Sequence, residues 1–259
     1  MPGISYLSEI QMITLALVII RVSAFFVVFP LVENAQIPNS VKILLSFMVG
    51  FVLSAVVPNK GLTTGFIAEN LIYLVIKEAF IGILVGFIAK FFFQTVSIAG
   101  DIMTMSMGLS SDQMFNPAMG RRVTAVENYQ LLLAGLLFLS LNGHHMFIEG
   151  LAKSFDLVPL TQIGFNFAVL RDVSLVAQTI MEMGVKIAAP IMGAIFIANL
   201  ALGIIGRTVP QINVLVTSWP INILLGFGVL IISLPLLIVS LGELMNWNAE
   251  VLMDVLTKM

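Results

Sequence analysis

His144 and His145 are the only imidazoles in the chain, and Glu149 stands one helical turn beyond His145. A metal ion requires three or four converging ligands. Adjacent side chains on a helix diverge, so the histidine pair reads as polar contacts at a helix end. Cysteine is absent, which removes thiolate ligands, thiol nucleophiles and disulfides. The carboxylates are scattered, with no pair spaced for acid–base work. The sequence holds no G-x-x-x-x-G-K-[ST], no G-x-G-x-x-G after a strand, no G-x-S-x-G and no H-E-x-x-H. No catalytic residue, metal or cofactor is therefore assigned. What remains are charged and polar residues set inside apolar runs, where they need protein or water around them. Their available chemistry is pairing and hydrogen bonding.

Three such places stand out. Arg21 sits in the middle of an apolar run. Glu78, Gly82, Gly86 and Lys90 follow one another at four-residue steps, which puts them on one helical stripe with a charge at each end. Two glycines at this spacing let helix backbones approach closely, so the stripe is expected to be a tight helix–helix contact rather than an ion path. The third place is Gly203-Ile204-Ile205-Gly206-Arg207-Thr208-Val209-Pro210-Gln211-Ile212-Asn213, the most polar interruption of the C-terminal half. Gly206 can take a left-handed cap, Arg207 complements the negative end of a helix, and Pro210 cannot continue one. A helix–turn–helix junction is expected here, with Arg207, Gln211 and Asn213 bringing donors and acceptors that need protein or water around them.

The elements that must position these residues are long and greasy. The 259 residues are 59% hydrophobic and 10% charged, with a mean hydropathy of +1.07. This is the composition of a membrane-embedded protein. A net charge of -2 offers no basic face for nucleic acid. The first nine residues carry Glu9 and no Lys or Arg, unlike a cleaved signal, so insertion is expected to use the first apolar segment. Six apolar segments follow in order, and one domain spanning 1–259 is the simplest organisation. The first is Ile10–Val32 and the second Val41–Val57. The third runs from Phe66 to about Gly100, and as one helix it would be about 50 Å long, beyond the roughly 30 Å of a bilayer core. The fourth is Asn128–Ile148, followed by a long connection from Glu149 to Asp172 with room for a short amphipathic helix. The fifth begins near Ser174, carries the i, i+4 pair Glu182 and Lys186, and is expected to kink at Pro190. Its Gly193, Ala194, Ala198 and Gly203 are small packing residues. The sixth, Val214–Leu241, contains Pro220 and Pro235 and is expected to bend or break.

Between the third and fourth segments the character changes. Asp101, Asp112, Arg121 and Arg122 fall in Gly100–Val123, together with Met103, Met105, Met107, Met114 and Met119. Asn116-Pro117 and Gly120 make the stretch non-helical after about Ser110. Methionine is unbranched and soft, able to fill irregular gaps and seal against changing partners. Two membrane signals are weak. Alternating connections place Lys60, Lys153, Arg171 and Lys258 on one side and Lys42, Arg121, Arg122 and Arg207 on the other, a tie that orients nothing. Phenylalanine accounts for 19 aromatics against 2 Trp and 3 Tyr, which leaves few interfacial anchors. Helices packed mainly against other protein fit this better than a bundle bathed in lipid.

These residues accumulate into a resemblance. Lys77-Glu78 with Gly82 and Gly86, Ala99-Gly100-Asp101, Asn142-Gly143-His144-His145, Ser154-Phe155, Ala189-Pro190 and Arg207-Thr208-Val209-Pro210-Gln211-Ile212-Asn213 occur in the order found in the FliR/SctT export-gate family of type III secretion systems. The chain resembles that family over nearly its whole length, more on the flagellar than on the virulence-injectisome side. The resemblance implies an all-α fold, an integral membrane protein of helical hairpins packed in a multi-subunit helical assembly. It implies FliP-like and FliQ-like membrane partners, an FlhB-like subunit beside them, and unfolded exported polypeptides as the cargo of a channel in the bacterial inner membrane. It also implies a plug-like loop at 108–124. The residues expected to seal are Met103, Met105, Met107, Met114, Phe115, Asn116, Pro117, Met119, Arg121 and Arg122. Those expected to serve assembly or gating are Glu78, Gly82, Gly86, Lys90, Asp101, Arg207, Pro210, Gln211 and Asn213. Arg121-Arg122 makes the loop more basic than the family's pattern. From the residues alone two further readings stay open: a secondary transporter with Arg21, Lys77, Glu78 and Lys90 as its charged path, and a structural subunit of another membrane complex.

Overall fold

A computed structural model describes residues 9–30, 37–57, 64–109, 124–161, 168–209, 211 and 213–259, and among these residues there are seven helices. They are α1 (Glu9–Val28), α2 (Asn39–Ser54), α3 (Thr64–Met107), α4 (Ala125–Ser140), α5 (Gly143–Leu157), α6 (Ala168–Thr208) and α7 (Val214–Thr257). Among the described residues there is no strand. The fold is all-α, as the apolar runs require: in hydrocarbon a helix satisfies its own backbone. Four helices, α1, α3, α6 and α7, are long and apolar enough to cross a membrane, and α4 with α5 adds a fifth if the two form one broken span. The second of the expected apolar segments is a shorter apolar helix, since α2 has only 16 residues.

Several boundaries differ from the sequence reading for local reasons. Helix α3 holds 44 residues, about 66 Å at ~1.5 Å per residue. The run expected at Asn128–Ile148 is interrupted at Asn142, whose φ of 58° is left-handed, a conformation asparagine tolerates better than most residues. Most of the expected Glu149–Asp172 connection is instead helical. Helix α5 buries Phe147, Leu151 and Phe155 at four-residue steps, and α6 already begins at Ala168. Pro190 lies inside α6, and Pro220 and Pro235 inside α7, without ending either helix.

The residues group into two compact units. The first comprises Met1–Phe91, Asn142–Val176 and Trp247–Met259, the second Phe92–Leu141 and Ala177–Asn246. In the first, α3 approaches α1 at Gly82 and Gly86, and Leu17, Val18, Val22 and Phe25 of α1 and Leu74, Ile81, Val85 and Ile88 of α3 are all buried. Phe25, Phe26 and Phe29 form an aromatic cluster extended by Phe147 of α5. In the second unit Ala99, Met103, Met107, Val126, Ala188, Ile191, Ile195 and Leu230 form one apolar core.

Candidate functional site

The glycine stripe is a packing seam inside the first unit. A Cβ on Gly82 would fall on the carbonyl oxygen of Arg21 and 2.8 Å from Ala24 Cβ, and one on Gly86 would lie 2.8 Å from the carbonyl oxygen of Phe25. Only glycine lets α3 lie this close to α1. At the same crossing Arg21 Nε donates to Glu78 Oε2 at 2.6 Å, with both side chains 0% exposed. Arg21 Nη1 donates to Ser154 Oγ at 2.9 Å and Nη2 to the Val158 carbonyl at 3.0 Å, and the guanidinium lies 4.0 Å over the ring of Phe155. Lys77 Nζ sits 3.3 Å from Glu78 Oε1 and donates to the carbonyl oxygens of Pro159 at 2.8 Å and Leu160 at 3.3 Å.

As ionised groups, two cations and one anion leave this buried cluster at +1. The carbonyls that receive the surplus lie at and just beyond the C-terminus of α5, the negative end of a helix dipole worth about half a charge. Arg21 therefore lines no path: it is enclosed and tied to α3 and α5. That removes Arg21 and Glu78 from the charged path of the transporter reading. Lys90 and Asp101 are half-buried on α3.

The expected seal residues divide by helix face. Met103 and Met107, expected to seal, are one turn apart and belong to the core of the second unit. Gln130 Nε2 lies 2.6 Å from Met103 Sδ, and a Cβ on Gly226 would meet Met107 Cγ at 2.6 Å. Met105, on the opposite face, is 60% exposed. Met114, Phe115, Asn116, Pro117, Met119, Arg121 and Arg122 lie outside the described residues.

Helices α3 and α4 end and begin with full sets of caps. Gly108, at φ 78°, closes α3: its N–H reaches the Met105 carbonyl and the Leu109 N–H reaches the Thr104 carbonyl, both at 3.1 Å. This is the Schellman pairing that satisfies the last carbonyls of a helix. Thr124 opens α4 with a capping box, its hydroxyl accepting from Glu127 N and its own N–H reaching the Glu127 carboxylate. Ser97 Oγ donates to the other oxygen of that carboxylate at 2.5 Å, and Glu127 is buried. A Cβ on Gly100 would meet Glu127 Cα at 2.8 Å, so glycine again sets the approach of two helices.

At the polar junction α6 continues through Gly206 and Arg207 to Thr208. Gly206 is not the left-handed cap. Val214 of α7 packs so close that a Cβ on Gly206 would strike its methyl group. Thr208 Oγ1 bonds back to the Ile205 carbonyl at 3.0 Å. Asn213 begins α7 and its Oδ1 accepts from Val216 N at 3.4 Å, the N-cap position. Arg207, Gln211 and Asn213 are exposed, while Pro210 lies outside the described residues. A Cβ on Gly193 or Gly203 would meet nothing within 4 Å among the described residues. Between α6 and α7, Asn222 Nδ2 donates to Asn199 Oδ1 at 3.1 Å. The histidine ring centroids lie 4.2 Å apart with the planes tilted by 38°, and no metal-binding cluster of His, Asp and Glu occurs among the described residues.

A sequence profile described as "Bacterial export proteins, family 1" matches residues 12–247. The chain belongs to this family. Relatives of this family 1 export protein carry the name flagellar biosynthetic protein FliR. That of Bacillus subtilis is 30% identical over 243 residues, covering 93% of each chain. That of Caulobacter vibrioides is 31% identical over 234 residues, 89% of this chain and 92% of the relative. That of Aquifex aeolicus is 31% identical over 238 residues, 91% of each. The family match spans the Arg21 cluster, the α3–α4 caps and the α6–α7 junction alike, and the family is one of export proteins rather than known enzymes.

Proposed function

We propose that this family 1 export protein is the FliR-type subunit of a flagellar type III export gate. In this reading it joins FliP-like and FliQ-like subunits, with an FlhB-like subunit beside them, in a channel that passes unfolded flagellar proteins across the bacterial inner membrane. The observation that carries the reading is the likeness to flagellar biosynthetic proteins over about nine-tenths of both chains. The apolar exterior supports it: Phe196, Ile197, Leu200 and Ile204 on α6 and Leu224, Phe227, Ile231 and Ile232 on α7 are all exposed, surface that needs lipid or other subunits.

Mechanism here is gating. A polypeptide channel must hold back ions at rest and part around a disordered chain. The 108–124 segment is the proposed plug, with Met105 at its α3 border and Met114, Phe115, Asn116, Pro117, Met119, Arg121 and Arg122 within it. Arg207, Gln211 and Asn213 are proposed contacts to neighbouring subunits.

Complementation tests the reading. Expressed in a motile bacterium lacking its own FliR, the chain should restore filament export, and native mass spectrometry in detergent should find one copy among several smaller helical subunits. A lone monomer that fails to restore export would sink the proposal. For the plug, removal of Met114–Gly120 should leak small ions while secretion persists; unchanged ion permeability would refute that assignment.

A further inference from the structure

Between Lys186 and Arg207, α6 carries a single polar side chain, Asn199. It stands thirteen residues past the lysine and eight before the arginine, about 20 Å and about 12 Å along the helix. The two charges thus bracket about 32 Å, close to the roughly 30 Å core of a bilayer. Helices α6 and α7 are both long and apolar enough to cross one. Asn199 therefore lies well inside hydrocarbon depth, and it is exposed.

Its contact within the chain is incomplete. Asn222 of α7 donates from Nδ2 to Asn199 Oδ1 at 3.1 Å. Asn222 is only 7% exposed, and its Oδ1 is buried with no hydrogen-bond partner. Turning both carboxamides over keeps the single bond and leaves a buried donor unmatched in place of a buried acceptor. Left to itself, the pair gains one hydrogen bond and holds one unmatched buried atom, which costs at least as much. Two apolar residues would suit an isolated hairpin as well or better. The stabilisation that favours amides here has to come from a neighbour.

The surroundings say what kind of neighbour. Lipid tails offer an amide no hydrogen bond. A wall facing water would be polar, yet Phe196, Leu200 and Ile204 on α6 and Leu224 and Phe227 on α7 are exposed and apolar. A second helix satisfies both demands. A Cβ on Gly203, one turn beyond Asn199, would meet nothing within 4 Å among the described residues, and a small residue there lets another helix come close. A lone asparagine in an apolar helix contact fixes register at a cost in stability.

We propose that Asn199 sets the register of α6 against an apolar membrane helix of a neighbouring subunit, one that carries a hydroxyl or carboxamide at the matching depth. The inference rests on the reading of this chain as one subunit of a membrane gate. It adds the chemistry by which one face of the chain selects its neighbour.

The test uses the full chain assembled with its partners in the membrane. Asn199→Leu with Asn222→Leu removes both amides. Recovery of the assembled complex should fall about three- to tenfold, the factor for one interhelical hydrogen bond in a membrane. The melting temperature of the chain alone in detergent should hold or rise. The chain has no cysteine, so Phe196→Cys places a unique thiol one turn from an intact Asn199. A benzophenone maleimide on that thiol should capture a second protein, and a membrane-impermeant maleimide should not reach it in the complex. A wild-type chain that stays a monomer sinks the gate reading and this inference with it. Where the wild type assembles, four outcomes overturn the inference alone. The double variant assembles as the wild type does; its complex is lost only in step with a lower melting temperature; the benzophenone captures lipid alone; or the thiol reacts freely with the impermeant reagent, the mark of a wall facing water.

Discussion

Replacing Glu78 by Leu should be the most damaging single change in the first unit. The perturbation keeps side-chain size and removes the one carboxylate that faces Arg21 and Lys77. In the native chain that cluster carries +1, distributed over Ser154 and the carbonyls of Val158, Pro159 and Leu160. Glu78→Leu raises it to +2 with Arg21 fully enclosed. Breaking a buried ion pair by removing one partner costs about 3–5 kcal/mol, on the order of 10 °C in melting temperature for a chain of this size. The double variant Arg21→Met with Glu78→Leu returns the cluster to +1, because only Lys77 remains. It should therefore recover most of the loss, since apolar replacement of a whole buried pair is often neutral. Glu182→Leu serves as control. Its partner Lys186 is 69% exposed, and the change should leave the melting temperature unmoved. The assay is thermal unfolding of the purified chain in one detergent, run as a double-mutant cycle. If Glu78→Leu melts with Glu182→Leu, or if the double variant is no better than the single, the account of a charge-balanced buried cluster is wrong.

Three further outcomes follow from the close contacts and caps. Gly82→Ala should lower the melting temperature by forcing α1 from α3, an overpacking cost of about 1–3 kcal/mol, whereas Gly193→Ala, with nothing within 4 Å, should leave the isolated chain unharmed; equal effects would refute the seam. Asn213→Ala should cost about 1 kcal/mol and speed amide exchange at Val216 and Thr217 alone; unchanged exchange there would deny the cap. Arg207→Ala should reduce recovery of the assembled complex while membrane insertion stays normal, and wild-type assembly of that variant would make the junction a plain turn.

Much of this was legible in the residues because it is local. Length and hydropathy dictate helices, and glycines at four-residue steps announce a close approach. The breaks at Thr208–Asn213 and at Met107 are marked by polar residues and glycine. What local spacing lacks is the identity of the partner. Nothing near Arg21 says that Glu78, 57 positions away, will meet it, although two opposite charges stranded in separate apolar runs are a hint that they pair. Two local signals were nonetheless passed over. Thr124-Ala125-Val126-Glu127 has capping-box spacing, and Phe147, Leu151 and Phe155 have the period of one helix that runs across the boundary drawn at Ile148. The pull of Asn142-Gly143 and Pro159 as loop formers outweighed that period.

The methionines show how far composition carries an argument and where periodicity must take over. Five of them crowd between Gly100 and Val123, and their softness suits a seal. Helical geometry separates the first three. Met103 and Met107 stand one turn apart, on the face where Ala99 also lies, and all three enter the core of the second unit. Met105 is turned about 200° from Met103 at 100° per residue and is exposed. A deformable seal needs side chains that can change neighbours, and a methionine packed against Gly226 or Gln130 cannot do so without disrupting its own fold. Of the three methionines on α3, only Met105 is exposed. Met105→Ala should alter ion leak without changing the melting temperature, while Met107→Ala should lower the melting temperature by about 2–5 kcal/mol worth of stability. The opposite assignment of the two effects would place the seal on the buried face and overturn this division.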